Sequence, residues 1–558
     1  MHRSERIPRL AHVSAAAWRR LGWVLVAIGA FVIAEILLVE RFNVGTTTSI
    51  GLPGVLLLAA GTATTVTGAL LIRRGWTGWP SEAAISVAAR ACAPFLLAFA
   101  VYLTAYVVMS PVEAGDQPHY ELEAFSLAYD HDRDLANDYA LDARVRPILP
   151  KGFDTRHAYQ YEPGGPFISV HHVGLPLLLT PAVPFTAALN WANPRLQIWP
   201  LHVELIALAA LSAQLLYLIL CLLSPTRRWL RRAVWASIAF SPPLIVYANQ
   251  VFPDQPAALL ALVVVYALLR APSRGWLFTG ALAAAALPWL HVRFLPVAVL
   301  LAIAVSYRAL TGLEPKPRTR AAQARWAAMS LAPLVVSVTA MSIAFSVWYG
   351  SPLPNAQYKF IHSPAGLDSA YGSLARGIWG SDSGMLPYAP VFILALAALP
   401  LVVRRFGRLG LLALTIAGVY MAGVTWQGAI GPGFSFPGRF EVILLPLLAI
   451  PLLLLVQELR WGRVAFAGLA ALTLGLTVAL VIEPIPAVAG VPGQTGPAVR
   501  YVLWDWFVDL WPQVDALDGG YPDAGAVAAW TAGLVALGVV VWLSARRARR
   551  APDTGAGL

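Results

Sequence analysis

The sequence predicts an all-α, polytopic membrane protein with about fourteen transmembrane helices and further helices at the outer membrane face. Of its 558 residues, 58% are hydrophobic and only 12% are charged, whereas soluble domains carry about 25% charged residues. Apolar runs of roughly 20 residues, long enough to cross a bilayer as a helix, recur along the chain. The basic residues behind the net charge of +11 lie in short clusters between those runs. This distribution is an orientation signal and argues against a nucleic-acid partner.

The predicted spans occur before and after one long polar stretch. A further apolar run at 173–189 is interrupted by Pro176, Pro181 and Pro184. Counting it as a span would place the arginines of 227–232 outside, so we expect a helix that lies at the outer interface or dips into it. The predicted spans lie near residues 21–40, 51–72, 89–109, 203–223, 233–249, 255–269, 275–290, 294–308, 327–348, 389–403, 409–425, 441–456, 464–482 and 525–543.

Arginine-rich loops set the predicted orientation. The arginines at 73–74, 227–232 and 546–550 fall on one side of the membrane, which the positive-inside rule makes cytoplasmic. Both termini are then cytoplasmic, and the protein is a multi-pass protein of the cell membrane, inner or plasma. The predicted regions are 1–88, a cytoplasmic tail with an extra transmembrane hairpin; 89–482, the main transmembrane module, with its first outer loop at 110–202; and 483–558, a short outer loop, the last transmembrane helix and a basic cytoplasmic tail.

The residues suited to chemistry lie in the predicted outer segments or at outer helix ends. Most of the further carboxylates of 116–162 are expected to be solvated loop charges; they are Glu121, Glu123, Asp130, Asp132, Asp134, Asp138, Asp142, Asp154 and Glu162. No Walker motif or glycine-rich nucleotide loop is present, so a soluble nucleotide donor is not expected. The outer segments and helix ends hold eight of the ten histidines: His119, His131, His157, His171, His172, His202, His291 and His362.

Asp116 is the first candidate for catalysis. It lies in Gly115-Asp116-Gln117-Pro118-His119-Tyr120, just after the apolar run 94–109. An acidic side chain is costly to hold at a membrane exit, which makes Asp116 a functional candidate. Partial desolvation would raise its pKa toward that of a useful general base; the alternative is a cap or turn residue. Asp116 and His119 could hold a divalent ion from one helical face, but nothing completes a recognisable ligand set, so a metal is unsupported.

Two arginines and a second aspartate lie at predicted outer helix ends. Asp254 could cap a helix or be a second carboxylate facing the site. Arg293, close to His291, and Arg439 have apolar neighbours in the sequence. They could snorkel to lipid headgroups or grip a lipid-linked phosphate with the planar guanidinium fork. Glu441 could neutralise Arg439 locally, but the shared position of the two arginines favours phosphate binding.

The order of motifs over about 105–445 resembles that of the GT-C glycosyltransferases. These integral-membrane enzymes use polyprenyl-phosphate sugars and include the protein O-mannosyltransferases and the aminoarabinose transferases. The motifs are Gly115-Asp116-x-Pro118-x-Tyr120, His172-Val173-Gly174-Leu175-Pro176-Leu177-Leu178, Arg195 before the next span, Ser241-Pro242-Pro243, Phe252-Pro253-Asp254, Leu287-Pro288-Trp289-Leu290-His291-Val292-Arg293, Tyr349-Gly350-Ser351-Pro352-Leu353-Pro354-Asn355, Gly384-Met385-Leu386-Pro387-Tyr388-Ala389-Pro390 and Pro437-Gly438-Arg439-Phe440.

The resemblance implies a GT-C-like catalytic module at 89–482 that acts on the extracytoplasmic face. Asp116 would deprotonate the acceptor, with Asp254 in a supporting catalytic role, and the acceptor oxygen would displace the lipid phosphate with inversion. The implied partners are the bilayer, a polyprenyl-phosphate-linked sugar and an acceptor glycan, lipid or protein; no cofactor is required. The implied donor-phosphate-binding residues are Arg293, Arg439, His291, Arg195, Tyr120 and Lys359.

Two other classes of membrane protein stay open. A transporter or flippase of lipid-linked glycans would carry polar residues in mid-span along a pathway, whereas the polar residues here cluster at one face. A polysaccharide polymerase or ligase would share the outer loops and the lipid substrate, so that only its activity would separate it from a transferase.

Overall fold

The computed structural model describes residues 82–109, 115–145, 157–190, 198–270, 273–312, 319–360, 366–381, 384–426, 436–482, 510–512 and 524–550. The predicted spans at 21–40 and 51–72 lie outside these residues, as does Arg195. The described part of the chain is mostly helical. Its helices are α1 (Glu82–Met109), α2 (Gln117–Phe125), α3 (Leu135–Val145), α4 (Gly174–Leu179), α5 (Val183–Asn190), α6 (Trp199–Leu223), α7 (Arg228–Ala239), α8 (Pro242–Tyr247), α9 (Asp254–Leu269), α10 (Arg274–Leu290), α11 (Leu295–Gly312), α12 (Arg320–Tyr349), α13 (Leu367–Trp379), α14 (Met385–Tyr388), α15 (Val391–Ala397), α16 (Leu399–Phe406), α17 (Arg408–Trp426), α18 (Ala449–Glu458), α19 (Arg460–Ile482) and α20 (Ala524–Arg550).

Within the described ranges, seven segments are long and apolar enough to cross a membrane. Each overlaps a span that the sequence predicts, which is compatible with an all-α polytopic membrane protein. The count of about fourteen spans is not reached by these residues and stays a prediction. The seven segments are Cys92–Met109, Trp199–Leu223, Val292–Thr311, Arg320–Tyr349, Arg408–Trp426, Arg460–Ile482 and Ala524–Arg547.

The other predicted spans that can be compared with the structure are shorter or broken. The apolar run 233–249 divides into α7 and α8, because Pro242 and Pro243 cannot continue a helix from Phe240. The helices α9 and α10 are continuous, but their 16 and 17 residues extend only about 24–26 Å, against a hydrocarbon core of about 30 Å. Hydropathy alone therefore overstates the length of the buried helices.

The chain divides into two compact units. One comprises Met1–Ala100 and Ala182–Leu201, and the other comprises Val101–Pro181 and His202–Leu558. In the first unit, the described elements are the beginning of α1, α5 and the first turn of α6. The second unit contains all the residues of the candidate site described below.

A β-hairpin is the exception to the all-α prediction in the second unit. Strand β1 (Ala158–Gln160) pairs antiparallel with β2 (Phe167–Ser169), with Ala158 opposite Ser169. The amide of Gly165 donates to the carbonyl of Glu162 at 3.0 Å to close the turn. The hairpin lies in the polar stretch after α1, and it brings the residues before β1 close to the residues after β2.

A buried ion pair connects this polar stretch with the end of α12. The Nε of Arg133 donates to Glu123 Oε1 at 2.6 Å, and its Nη2 donates to the Tyr349 hydroxyl at 3.2 Å. The guanidinium lies 4.2 Å from the ring centroid of Trp348. Glu121, Glu123 and Asp138 are buried and so are exceptions to the expectation that most carboxylates of this stretch are solvated.

Replacement of Arg133 by methionine is expected to destabilise the protein by about 3–5 kcal/mol, because it leaves the Glu123 carboxylate buried without its counter-charge. The measurement is the midpoint of thermal unfolding in detergent at a fixed scan rate. The double variant Glu123→Leu/Arg133→Met should recover much of the loss, since it removes both charges. An unchanged midpoint in the single variant would show that the pair does not anchor this region.

Candidate functional site

Asp116 lies directly before α2 and is positioned by the turn that Gly115 makes with a φ of 63°. Its backbone carbonyl accepts from the amides of His119 and Tyr120 at 3.2 and 3.3 Å. The side chain makes no capping hydrogen bond. Instead, Oδ2 accepts from Arg439 Nη2 at 3.1 Å. The carboxylate thus contacts a segment more than 300 residues away, and the cap alternative does not describe it.

Asp254 joins the two predicted phosphate-binding arginines. It lies in the first turn of α9 with a fully buried side chain. Its Oδ1 accepts from Arg293 Nη2, and its Oδ2 lies 3.6 Å from Arg439 Nε. The guanidinium of Arg439 also lies 3.6 Å from the ring centroid of Phe252. Asp254 therefore orients both guanidinium groups, and this contact is more specific than a helix cap.

The site brings four separate parts of the chain into one network of two aspartates and two arginines, in which Asp254 is fully buried and Asp116 is partly exposed. Ion pairs link Asp116 to Arg439, Arg439 to Asp254, and Asp254 to Arg293. Among the described residues, the Nε atoms of Arg293 and Arg439 have no hydrogen-bond partner. A buried donor left without a partner costs about 1–3 kcal/mol. An anionic ligand that accepts from both groups would remove this cost.

Aromatic side chains and histidines surround the network. Tyr120 is buried, and its ring centroid lies 4.6 Å from that of His171. His291 Nδ1 accepts from the amide of Arg293 at 3.2 Å, and its Nε2 is hydrogen-bonded to the Tyr358 hydroxyl at 2.9 Å. His291 thus holds the backbone of Arg293 in place.

The electrostatics differ from the prediction for Asp116. Burial by itself would raise the pKa of this carboxyl, but His171, Arg439 and His157 together lower it below its ordinary value. Burial lowers the pKa of His119 to about 2 and that of His171 to about 4. At neutral pH, Asp116 is therefore an anion, and it is a weaker base than desolvation alone would make it.

Three side chains could hold a metal ion. One donor atom from each of Asp116, His157 and His171 can be chosen so that all three lie within 4.8 Å of one another. His119, the metal candidate suggested by the sequence beside Asp116, is instead stacked on His157 with 4.1 Å between ring centroids. Its Nδ1 is hydrogen-bonded to the Tyr139 hydroxyl at 2.7 Å.

Lys359 and Glu441, which the sequence analysis also named, have surroundings that differ from their predicted roles. Lys359 is exposed, and its Nζ lies 5.5 Å from the ring centroid of Phe360. Glu441 is buried in the turn before α18, and neither of its carboxylate oxygens has a hydrogen-bond partner in the described structure. The expected local neutralisation of Arg439 comes from the two aspartates instead.

The sequence did not assign roles to His157 and His171. They are 14 residues apart, and this spacing matches no metal-ligand motif. The hairpin brings them together, because His157 precedes β1 and His171 follows β2. The only signal in the sequence was the accumulation of histidines in the outer segments. No protein-family model matches the chain, and no curated protein sequence matches it significantly.

Proposed function

We propose that the protein is a GT-C-type glycosyltransferase of the cell membrane. It moves a sugar from a polyprenyl-phosphate donor to an acceptor glycan, lipid or protein on the extracytoplasmic face. The observation that carries this proposal is the pair of arginines, Arg293 and Arg439, that both contact Asp254, with Arg439 also paired to the Asp116 carboxylate. A lipid-linked phosphate has the negative charge and the acceptor oxygens that the unpartnered Nε groups of these arginines require.

The proposed reaction uses Asp116 as the base and a pair of arginines that bind the phosphate. The acceptor hydroxyl attacks the anomeric carbon, and its proton passes to Asp116. The bond between that carbon and the phosphate oxygen breaks, and the polyprenyl phosphate leaves with the bonding electron pair. Arg293 and Arg439 stabilise the charge that grows on this leaving oxygen. Asp254 acts as a positioning residue, since it contacts both guanidinium groups.

A purely structural ion-pair network is the competing explanation. Such a network would account for the ion pairs, but it leaves Arg293 Nε without a hydrogen-bond partner among the described residues and Arg439 Nε only at ion-pair distance, 3.6 Å, from Asp254 Oδ2. A transporter of the same lipid would also bind phosphate, but it would release the donor with its sugar still attached. The products therefore separate transfer from transport.

The proposal is tested with the purified full chain in nanodiscs. A photoreactive polyprenyl phosphate should label the protein, and unlabelled polyprenyl phosphate should compete for labelling while neutral polyprenol should not. A panel of polyprenyl-phosphate sugars, supplied with membrane glycan and lipid acceptors, should yield sugar transferred to an acceptor and free polyprenyl phosphate. Equal competition by the alcohol, or movement of intact donor across a liposome membrane without sugar transfer, would overturn the proposal.

A further inference from the structure

The donor atoms of Asp116, His157 and His171 are grouped closely enough that they could hold one metal ion. His157 Nδ1 lies 3.0 Å from His171 Nε2 and 3.8 Å from Asp116 Oδ1. Ligands about 2.0–2.2 Å from an ion lie roughly 3.0–3.5 Å apart when the angle between them is between octahedral and tetrahedral values. The two imidazole nitrogens already have this spacing, and all three donor atoms lie within 4.8 Å of one another, so the carboxylate would have to move closer to the histidines to complete the set.

The surrounding structure holds the donors in this arrangement. The carbonyl of His157 accepts from the amide of Val170 at 2.9 Å, which extends the hairpin pairing by one residue and fixes His157 beside His171. The ring of His119 stacks on His157 with an interplanar angle of 11°. Arg439 holds the other carboxylate oxygen of Asp116. Such secondary contacts orient ligands in metalloproteins, and here they leave Asp116 Oδ1 directed toward the histidines.

We propose that Asp116, His157 and His171 bind one divalent transition-metal ion, with Zn²⁺ as the best match. Imidazole nitrogens favour zinc and its neighbours in the periodic table, whereas Mg²⁺ and Ca²⁺ favour oxygen donors. Two histidines and one carboxylate form a common three-ligand zinc set that leaves a fourth position open. The side chains of His157 and Asp116 are 35% and 30% exposed, so this fourth position can accept a water molecule or a hydroxyl group.

Ion binding at this site does not depend on the proposed sugar transfer. If that transfer takes place, an acceptor hydroxyl on the open position would pass its proton to Asp116 more easily, because a bound cation lowers the pKa of its oxygen ligands. A hydrogen bond between the two imidazoles is the alternative explanation of their 3.0 Å separation, and it requires no ion.

The test is metal binding by the full chain, purified without a histidine tag and stripped with a chelator. Equilibrium dialysis against Zn²⁺, followed by elemental analysis, should give one tightly bound ion per chain, with Mg²⁺ and Ca²⁺ unable to displace it. Replacement of the ion by Co²⁺ should give the visible absorption of a four- or five-coordinate site. His157→Gln and His171→Gln should each weaken Zn²⁺ affinity at least about 10-fold, as expected for the loss of a direct ligand.

His131→Gln is the matched control, because His131 is exposed and its Nδ1 is hydrogen-bonded to the carbonyl of Leu127. This variant should retain the ion. X-ray absorption of the wild-type zinc form provides a measurement that needs no variant, and it should detect two imidazole ligands. Substoichiometric zinc in the wild type, a coordination shell without imidazole, or unchanged affinity in both cluster variants would overturn the proposal.

Discussion

Replacement of Asp116 by asparagine is expected to abolish sugar transfer, with a rate loss of at least about 100-fold, while the protein stays folded. A general base contributes about 100- to 10,000-fold to a rate. The asparagine amide has the shape of the carboxylate, and its oxygen can still accept from Arg439 Nη2, but it cannot take up the acceptor proton. The measurement is the initial rate of transfer from a polyprenyl-phosphate sugar in nanodiscs, with folding checked by gel filtration and thermal unfolding.

Asp130→Asn is the matched control for the Asp116 variant. Asp130 belongs to the same polar stretch, but it is exposed and accepts from the side chain of Asn137. Its replacement should leave the transfer rate unchanged. A folded Asp116→Asn protein that retains most of its activity would remove Asp116 from the role of base.

Asp254→Asn should separate positioning from proton transfer. Asp254 contacts Arg293 and Arg439. The variant should therefore bind the donor more weakly, while the rate of the chemical step changes less. Its rate at saturating donor should therefore fall less than that of Asp116→Asn.

The sequence predicts the two aspartates and two arginines on one membrane face; the structure shows the four side chains in contact, and the face stays a prediction. Asp116, Asp254, Arg293 and Arg439 each follow or precede an apolar run, and the positive-inside rule directs those ends to the same side. Hydropathy and charge carry that information locally. The pairing of Arg439 with Asp116 needed the structure, because their 323-residue separation leaves no local pattern.

Other features depended on contacts that hydropathy does not encode. Glu123 resembles a solvated loop charge in the sequence, yet it is buried because Arg133 pairs with it. The grouping of His157 with His171 depends on a hairpin of three-residue strands, too short to give a clear alternating pattern. The short helix α9 has the composition of a span, and only its length and buried faces distinguish it.

Replacement of either Arg293 or Arg439 by alanine is expected to weaken the binding of polyprenyl phosphate by about 10- to 100-fold. Hydrogen bonds to a charged group contribute about 1.5–3 kcal/mol, and each alanine variant removes one guanidinium from the phosphate. Lysine should restore only part of the affinity, because an ammonium supplies the charge without the planar pair of donors. The measurement is the dissociation constant of polyprenyl phosphate in nanodiscs for the wild type and the four variants.

Arg270→Lys and Arg270→Ala provide the controls for this series. Arg270 follows the opposite end of α9 from Asp254, and its guanidinium lies 4.9 Å from the ring centroid of Trp276. Neither Arg270 variant should change donor affinity, whereas the same substitutions at Arg293 and Arg439 should weaken it. The affinity for neutral polyprenol should be the same in all variants, since the arginines recognise the phosphate and not the chain. Unchanged phosphate affinity in the Arg293 and Arg439 variants would show that the buried guanidinium groups serve only the ion pairs with Asp116 and Asp254.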